Sequence, residues 1–174
     1  MKKLFLFTIL ITLSSCKIHQ KVTSKKDRTI DLIGLSEKKS FNQEPYKKWF
    51  DKNFKVYKPD TSSIASLKKE LKGITIKGFM GTWCGDSKRE IPQFFKILDQ
   101  VNFNTEDLEL IAVDRNKKTP NNLQEGFNIK KVPTFIFYKQ GKEIGRYVEY
   151  ARESLEKDML QIVSEKAYKH SYKN

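Results

Sequence analysis

The stretch from Ile74 to Leu98 constrains the fold more than any other part of this 174-residue chain. Ile74-Thr75-Ile76-Lys77-Gly78-Phe79-Met80 is rich in β-branched and apolar residues and reads as a strand. It runs directly into Gly81-Thr82-Trp83-Cys84-Gly85-Asp86-Ser87 and then into an amphipathic segment, Ile91 to Leu98, with helical spacing of its apolar residues. The strand's partner must then come from beyond a helix, which predicts parallel pairing with the next apolar strand, Leu108 to Val113. The same arrangement places Cys84 at the first turn of a helix, where unpaired backbone N–H groups and the positive end of the helix dipole favour a thiolate.

The other elements fall on both sides of this unit. Pro45-Tyr46-Lys47-Lys48-Trp49-Phe50 suggests a short helix with proline in its first turn. Asp60-Thr61-Ser62-Ser63 offers N-cap residues ahead of Ile64, Leu67 and Leu71, a helix that Gly73 ends. Beyond the second strand, Asn121 to Phe127 fits a short helix, and Val132-Pro133 leads into a strand, Thr134 to Tyr138. The turn Lys139-Gln140-Gly141-Lys142 joins that strand to Glu143 to Val148 as an antiparallel hairpin. Ser154 to Val163 gathers Leu155, Met159, Ile162 and Val163 on one helical face. The order predicts an α/β domain with a mixed sheet covered on both faces.

The chain's beginning reads as a targeting segment. Met1-Lys2-Lys3 precedes an apolar run, Leu4 to Leu13, that is shorter than the roughly 18 to 20 residues needed to span a bilayer. Leu13-Ser14-Ser15-Cys16 resembles the bacterial lipobox, which implies a lipoprotein signal peptide over 1–15 and a diacylglyceryl group on Cys16. Several acyl chains on one residue anchor a protein stably, so membrane attachment in the cell envelope, facing an extracytoplasmic compartment, is expected without a spanning helix. Residues 16–59 then read as a lipid-anchored tether and lead-in, 60–168 as a single domain and 169–174 as a basic tail.

The formal charge is +13, but the lysines are scattered, which describes a solvated basic surface rather than a nucleic-acid site. Cysteine is scarcer: if Cys16 is lipidated, Cys84 is left as a lone thiol and no internal structural disulfide is possible. With His19 and His170 as the chain's two histidines, both near the ends, a zinc site lacks ligands, and no cofactor is expected.

Trp83-Cys84-Gly85-Asp86-Ser87 resembles the thioredoxin active-site motif Trp-Cys-Gly-Pro-Cys. Pro92 inside the helix, Val132-Pro133-Thr134 ahead of a strand and Gly141 in the hairpin fall where the thioredoxin superfamily has them, so the resemblance covers about Ile64 to Val163. It implies a thioredoxin-like fold, with Cys84 as the attacking nucleophile and Pro133 as a cis-proline lying against its sulfur, a trans proline at a strand start being the alternative. It also implies that the Val132 backbone is available to an extended substrate peptide. Trp83 either shields the sulfur or packs the turn. Pro92 is structural.

Two departures matter. Ser87 stands where the family has its resolving cysteine, and a hydroxyl cannot attack a mixed disulfide. Gly78 stands six residues before Cys84, where thioredoxins carry a buried aspartate. Asp86, in place of the motif's proline, opposes a thiolate nearby, and Lys88 and Arg89 either offset it or remain solvated. The resemblance thus implies a monothiol thiol-disulfide oxidoreductase that acts on exported protein thiols or disulfides and needs an external thiol donor. A non-catalytic module that binds or holds client proteins through the Val132-Pro133 groove is the alternative. A peroxidase of the peroxiredoxin type is disfavoured, because Cys84 lacks that family's threonine-proline lead.

Overall fold

The computed structural model describes residues 31–173. The segment expected as a signal peptide, Cys16, His19 and residues 17–30 of the expected tether lie outside the described residues.

A central mixed five-stranded sheet is flanked by helices. In chain order the elements are β1 (Gly34–Ser36), α1 (Tyr46–Val56), α2 (Thr61–Glu70), β2 (Ile74–Met80) and α3 (Gly85–Val101). They continue with β3 (Leu108–Ala112), β4 (Thr134–Lys139), β5 (Lys142–Val148) and α4 (Leu155–Val163). The strands lie in the order β1-β3-β2-β4-β5. β2 and β3 pair in parallel, as the helix between them requires, and every other pairing is antiparallel. Gln140 and Gly141 both take positive φ, 52° and 77°, which suits a tight two-residue hairpin turn between β4 and β5.

Alternation along the strands builds two cores. Ile74, Ile76, Met80, Leu110, Ala112, Phe135 and Phe137 join the apolar faces of the helices, whereas Phe79, Ile111, Val113 and Ile136 point the other way. α2 starts where Asp60 accepts the Ser63 N–H at 2.8 Å, and α4 starts at Ser154, whose hydroxyl accepts the Lys157 N–H.

Two expectations change. The helix expected over Asn121 to Phe127 is absent: the segment is a series of turns, with Asn122 at φ 52° and Gly126 at φ 81°, conformations that interrupt a helix. Its apolar residues Leu123 and Phe127 still cover the second core. The lead-in, expected as a poorly defined approach to the domain, is built into it from Leu32 onward. β1 pairs with β3, and Phe41, Tyr46 and Phe50 are buried in the main core, with Phe41 stacked on Phe50 at 5.1 Å. The basic tail also folds back, with the Ser171 hydroxyl donating to the Tyr150 carbonyl at 2.6 Å.

Candidate active site

Cys84 is the N-cap residue of α3, with extended backbone at φ −86°, ψ 130°, and its half-buried side chain is a free thiol. The turn that presents it is closed twice: the Cys84 N–H donates to the Gly81 carbonyl at 2.9 Å, and the Gly81 N–H donates to the Ser87 hydroxyl at 3.1 Å. Gly81 must be glycine here, since a Cβ would lie 2.5 Å from the Trp83 ring. The Trp83 indole N–H donates to the Val113 carbonyl at 2.9 Å, which pins the ring to the end of β3 and beside Cys84 in the second core. The tryptophan therefore packs the turn.

The Val132-Pro133 peptide is cis, and the Cys84 thiol donates to the Val132 carbonyl at 3.2 Å, so the sulfur rests against this turn. Pro133 is fixed from behind, its carbonyl accepting the Glu149 N–H at 2.7 Å. The next residue, Tyr150, is exposed. Trp83, Cys84, Val132 and Pro133 thus meet in space although 48 residues separate the cysteine from Val132.

The remaining motif residues divide by direction. Gly85 is exposed in the first helical turn. Asp86 is held by Arg89 at 2.7 Å, so its charge beside the helix N-terminus is partnered. Ser87 is fully buried, its oxygen turned inward onto Gly81. Gly78 has no room for the missing acid, since a Cβ would lie 2.9 Å from Leu110 and 3.3 Å from Phe135.

Two participants are not evident in the sequence motif. Thr82, buried beside Trp83, accepts the Leu32 N–H at 3.0 Å and so ties the lead-in to the active-site turn. Glu90 is buried on the inner face of α3, accepting from the Tyr147 hydroxyl at 2.9 Å and from Arg89 at 2.8 Å. Burial pushes its carboxyl pKa up. The one sequence signal for it is a carboxylate between Ser87 and Ile91 on an otherwise apolar helix face.

A family model described as Thioredoxin matches residues 51–161. The chain belongs to the thioredoxin family. Among curated relatives, a thioredoxin-like protein of Acanthamoeba polyphaga mimivirus is 30% identical over 55% of this chain and 67% of its own length. Thioredoxin H2 of Arabidopsis thaliana is 29% identical over 54% of this chain and 66% of its own. Chicken (Gallus gallus) thioredoxin is 28% identical over 58% of this chain and 94% of its own. Among solved structures, Plasmodium falciparum thioredoxin overlays 55% of this chain and 83% of its own at 23% identity, with a TM-score of 0.38. Membership supports, in general terms, a thioredoxin-family redox function. Within the matched residues, Cys84 is a free thiol at the N-cap of α3, and three residues later Ser87 carries a buried hydroxyl.

Proposed function

We propose that the protein is a monothiol thiol-disulfide oxidoreductase. The observation that carries the reading is the pairing of a half-buried Cys84 at a helix N-terminus with a Ser87 hydroxyl turned away into the Gly81 turn. In the first step the Cys84 thiolate attacks a disulfide on a client protein. A new bond joins Cys84 to the client sulfur, the old S–S bond breaks, and the second sulfur leaves as a thiolate. The Val132-Pro133 turn, which holds the resting sulfur, would align the client's extended backbone. Ser87 cannot resolve the adduct, so an outside thiol attacks the Cys84 sulfur, releasing the reduced client as a thiolate and remaining joined to Cys84, and a second equivalent of that thiol then leaves with it as a disulfide and restores the free cysteine.

The expected setting follows from the first sixteen residues: a signal peptide over 1–15 and lipidation of Cys16 would hold the domain at a membrane facing an extracytoplasmic compartment, where exported proteins are the clients. The tightly filled site of the missing acid at Gly78 favours a second reading, in which the same groove holds clients without turnover.

The experiment uses reduced protein and a glutathionylated client, with Cys84→Ser as the control. Transfer of the client or of glutathione onto Cys84, followed by repeated release in the presence of a small thiol, supports the oxidoreductase. Transfer without repeated release supports the holding module. Equal rates with Cys84→Ser would reject both roles for the thiol.

A further inference from the structure

A cavity of about 590 Å³ lies beside β5 and borders the Val132-Pro133 turn, since Lys131 and Thr134, the residues on either side of that turn, line it. The tail forms part of its wall: His170, Tyr172 and Lys173 line it, the Ser171 hydroxyl is tied to the Tyr150 carbonyl, and the Tyr172 hydroxyl is paired with Glu149. Lys130, Lys131, Arg146 and Lys173 bring four cations to the lining against one carboxylate, Glu143. Glu143 is already engaged, contacting Arg146 through both of its oxygens at 2.7 Å. Lys131 has only a long contact to Glu149, at 3.6 Å, and lies 4.8 Å over the Tyr172 ring. Lys130 and Lys173 form no ion pair among the described residues.

We propose that this cavity receives acidic side chains of the client segment whose cysteine exchanges with Cys84. The inference rests on the reading of Cys84 as the exchanging thiol and adds a substrate class to it. Its geometric basis is adjacency: Lys131 and Thr134 flank the Val132-Pro133 turn and line the cavity, where Lys131 is 3.6 Å from Glu149 and Lys130 and Lys173 form no ion pair among the described residues. Like charges gathered around one concavity raise its positive potential, and a carboxylate arriving there finds charge-assisted partners already in place. His170 reports the same field, since its pKa is pushed down by burial and then by Lys173 and Arg146.

The test uses full-chain protein and three peptides that differ only in acidic, neutral or basic flanks around one cysteine, supplied as a mixed disulfide with thionitrobenzoate. Cys84 attacks the peptide sulfur, the protein–peptide disulfide forms, and thionitrobenzoate leaves and is counted by its absorbance. The acidic peptide should react about tenfold faster than the neutral one at low salt, with the gap closing as salt shortens the screening length. Lys130→Glu with Lys173→Glu should bring the acidic-to-neutral ratio to one or below. Lys52→Glu with Lys69→Glu, the same charge change placed on α1 and α2, should preserve most of that ratio.

Equal rates for the three peptides, or an equal fall in the ratio with either pair of variants, would overturn the cavity assignment and leave Cys84's role standing. No release from any peptide would overturn the role of Cys84 instead. The cavity is then judged by nuclear magnetic resonance on Cys84→Ser protein with a cysteine-free acidic peptide. A rise in the His170 pKa on adding that peptide supports the assignment, and an unchanged His170 overturns it.

Discussion

The Ser87 oxygen accepts a buried N–H from Gly81, and a buried donor without a partner is costly. Ser87→Ala should therefore lower stability by about 1–3 kcal/mol, read as a lower urea midpoint with an unchanged slope, even though the substitution removes no atom of the reacting centre. Gly78 behaves differently. Gly78→Asp would press a side chain onto Leu110 and Phe135 and leave a carboxylate in the main core. We expect a loss of at least about 2 kcal/mol in the same measurement, with no gain in exchange rate. Both replacements are visible in the sequence, because each falls at a fixed offset from Cys84. That Ser87 closes the turn, and that neighbours fill the space at Gly78, is not visible there, since both depend on where Gly81, Leu110 and Phe135 end up in three dimensions.

α3 carries the cysteine, and α1 supports it from outside the sheet. Phe50 of α1 packs on Phe41 and Phe95, and the Asn53 side-chain amide donates to the Lys88 carbonyl in the first turns of α3 at 2.9 Å. Phe50→Ala should cost about 3–5 kcal/mol and raise hydrogen exchange in α1, which would show that the lead-in belongs to the folded domain. Unchanged stability would show that it does not. The helix itself was legible from Pro45 and its aromatic residues, but its target was not, because a one-sided aromatic face does not name the surface it meets. β1, three residues long, is too short for periodicity to register. The helix expected at Asn121 to Phe127 failed for a local reason, since Asn122 and Gly126 adopt positive φ.

Across the whole molecule, Glu90 links the cysteine's helix to β5 through Tyr147, inside the main core. Because burial raises its pKa, the folded state binds this proton more tightly than the unfolded chain does. The contribution of Glu90 to stability should fall as pH rises from the ordinary glutamate value, about 4.3, through the raised one, and Glu90→Gln should remove that component of the urea midpoint's pH profile. A profile unchanged by the substitution would contradict the assignment. The α/β plan, the parallel β2–β3 pair and the cis-proline turn beside Cys84 all follow the sequence reading, whereas the tail wall and the Thr82 clamp depend on contacts between segments far apart in the chain. If Cys84 starts an exchange that this chain cannot finish alone, the lifetime of its mixed disulfide with a client peptide, followed by mass spectrometry without added thiol, is the decisive quantity. The adduct should persist in the native protein until a small thiol is added, and should decay by itself in the Ser87→Cys variant as the introduced thiol closes an internal disulfide with Cys84. Spontaneous decay in the native protein, or no adduct at all, would show that Cys84 does not act as a monothiol nucleophile.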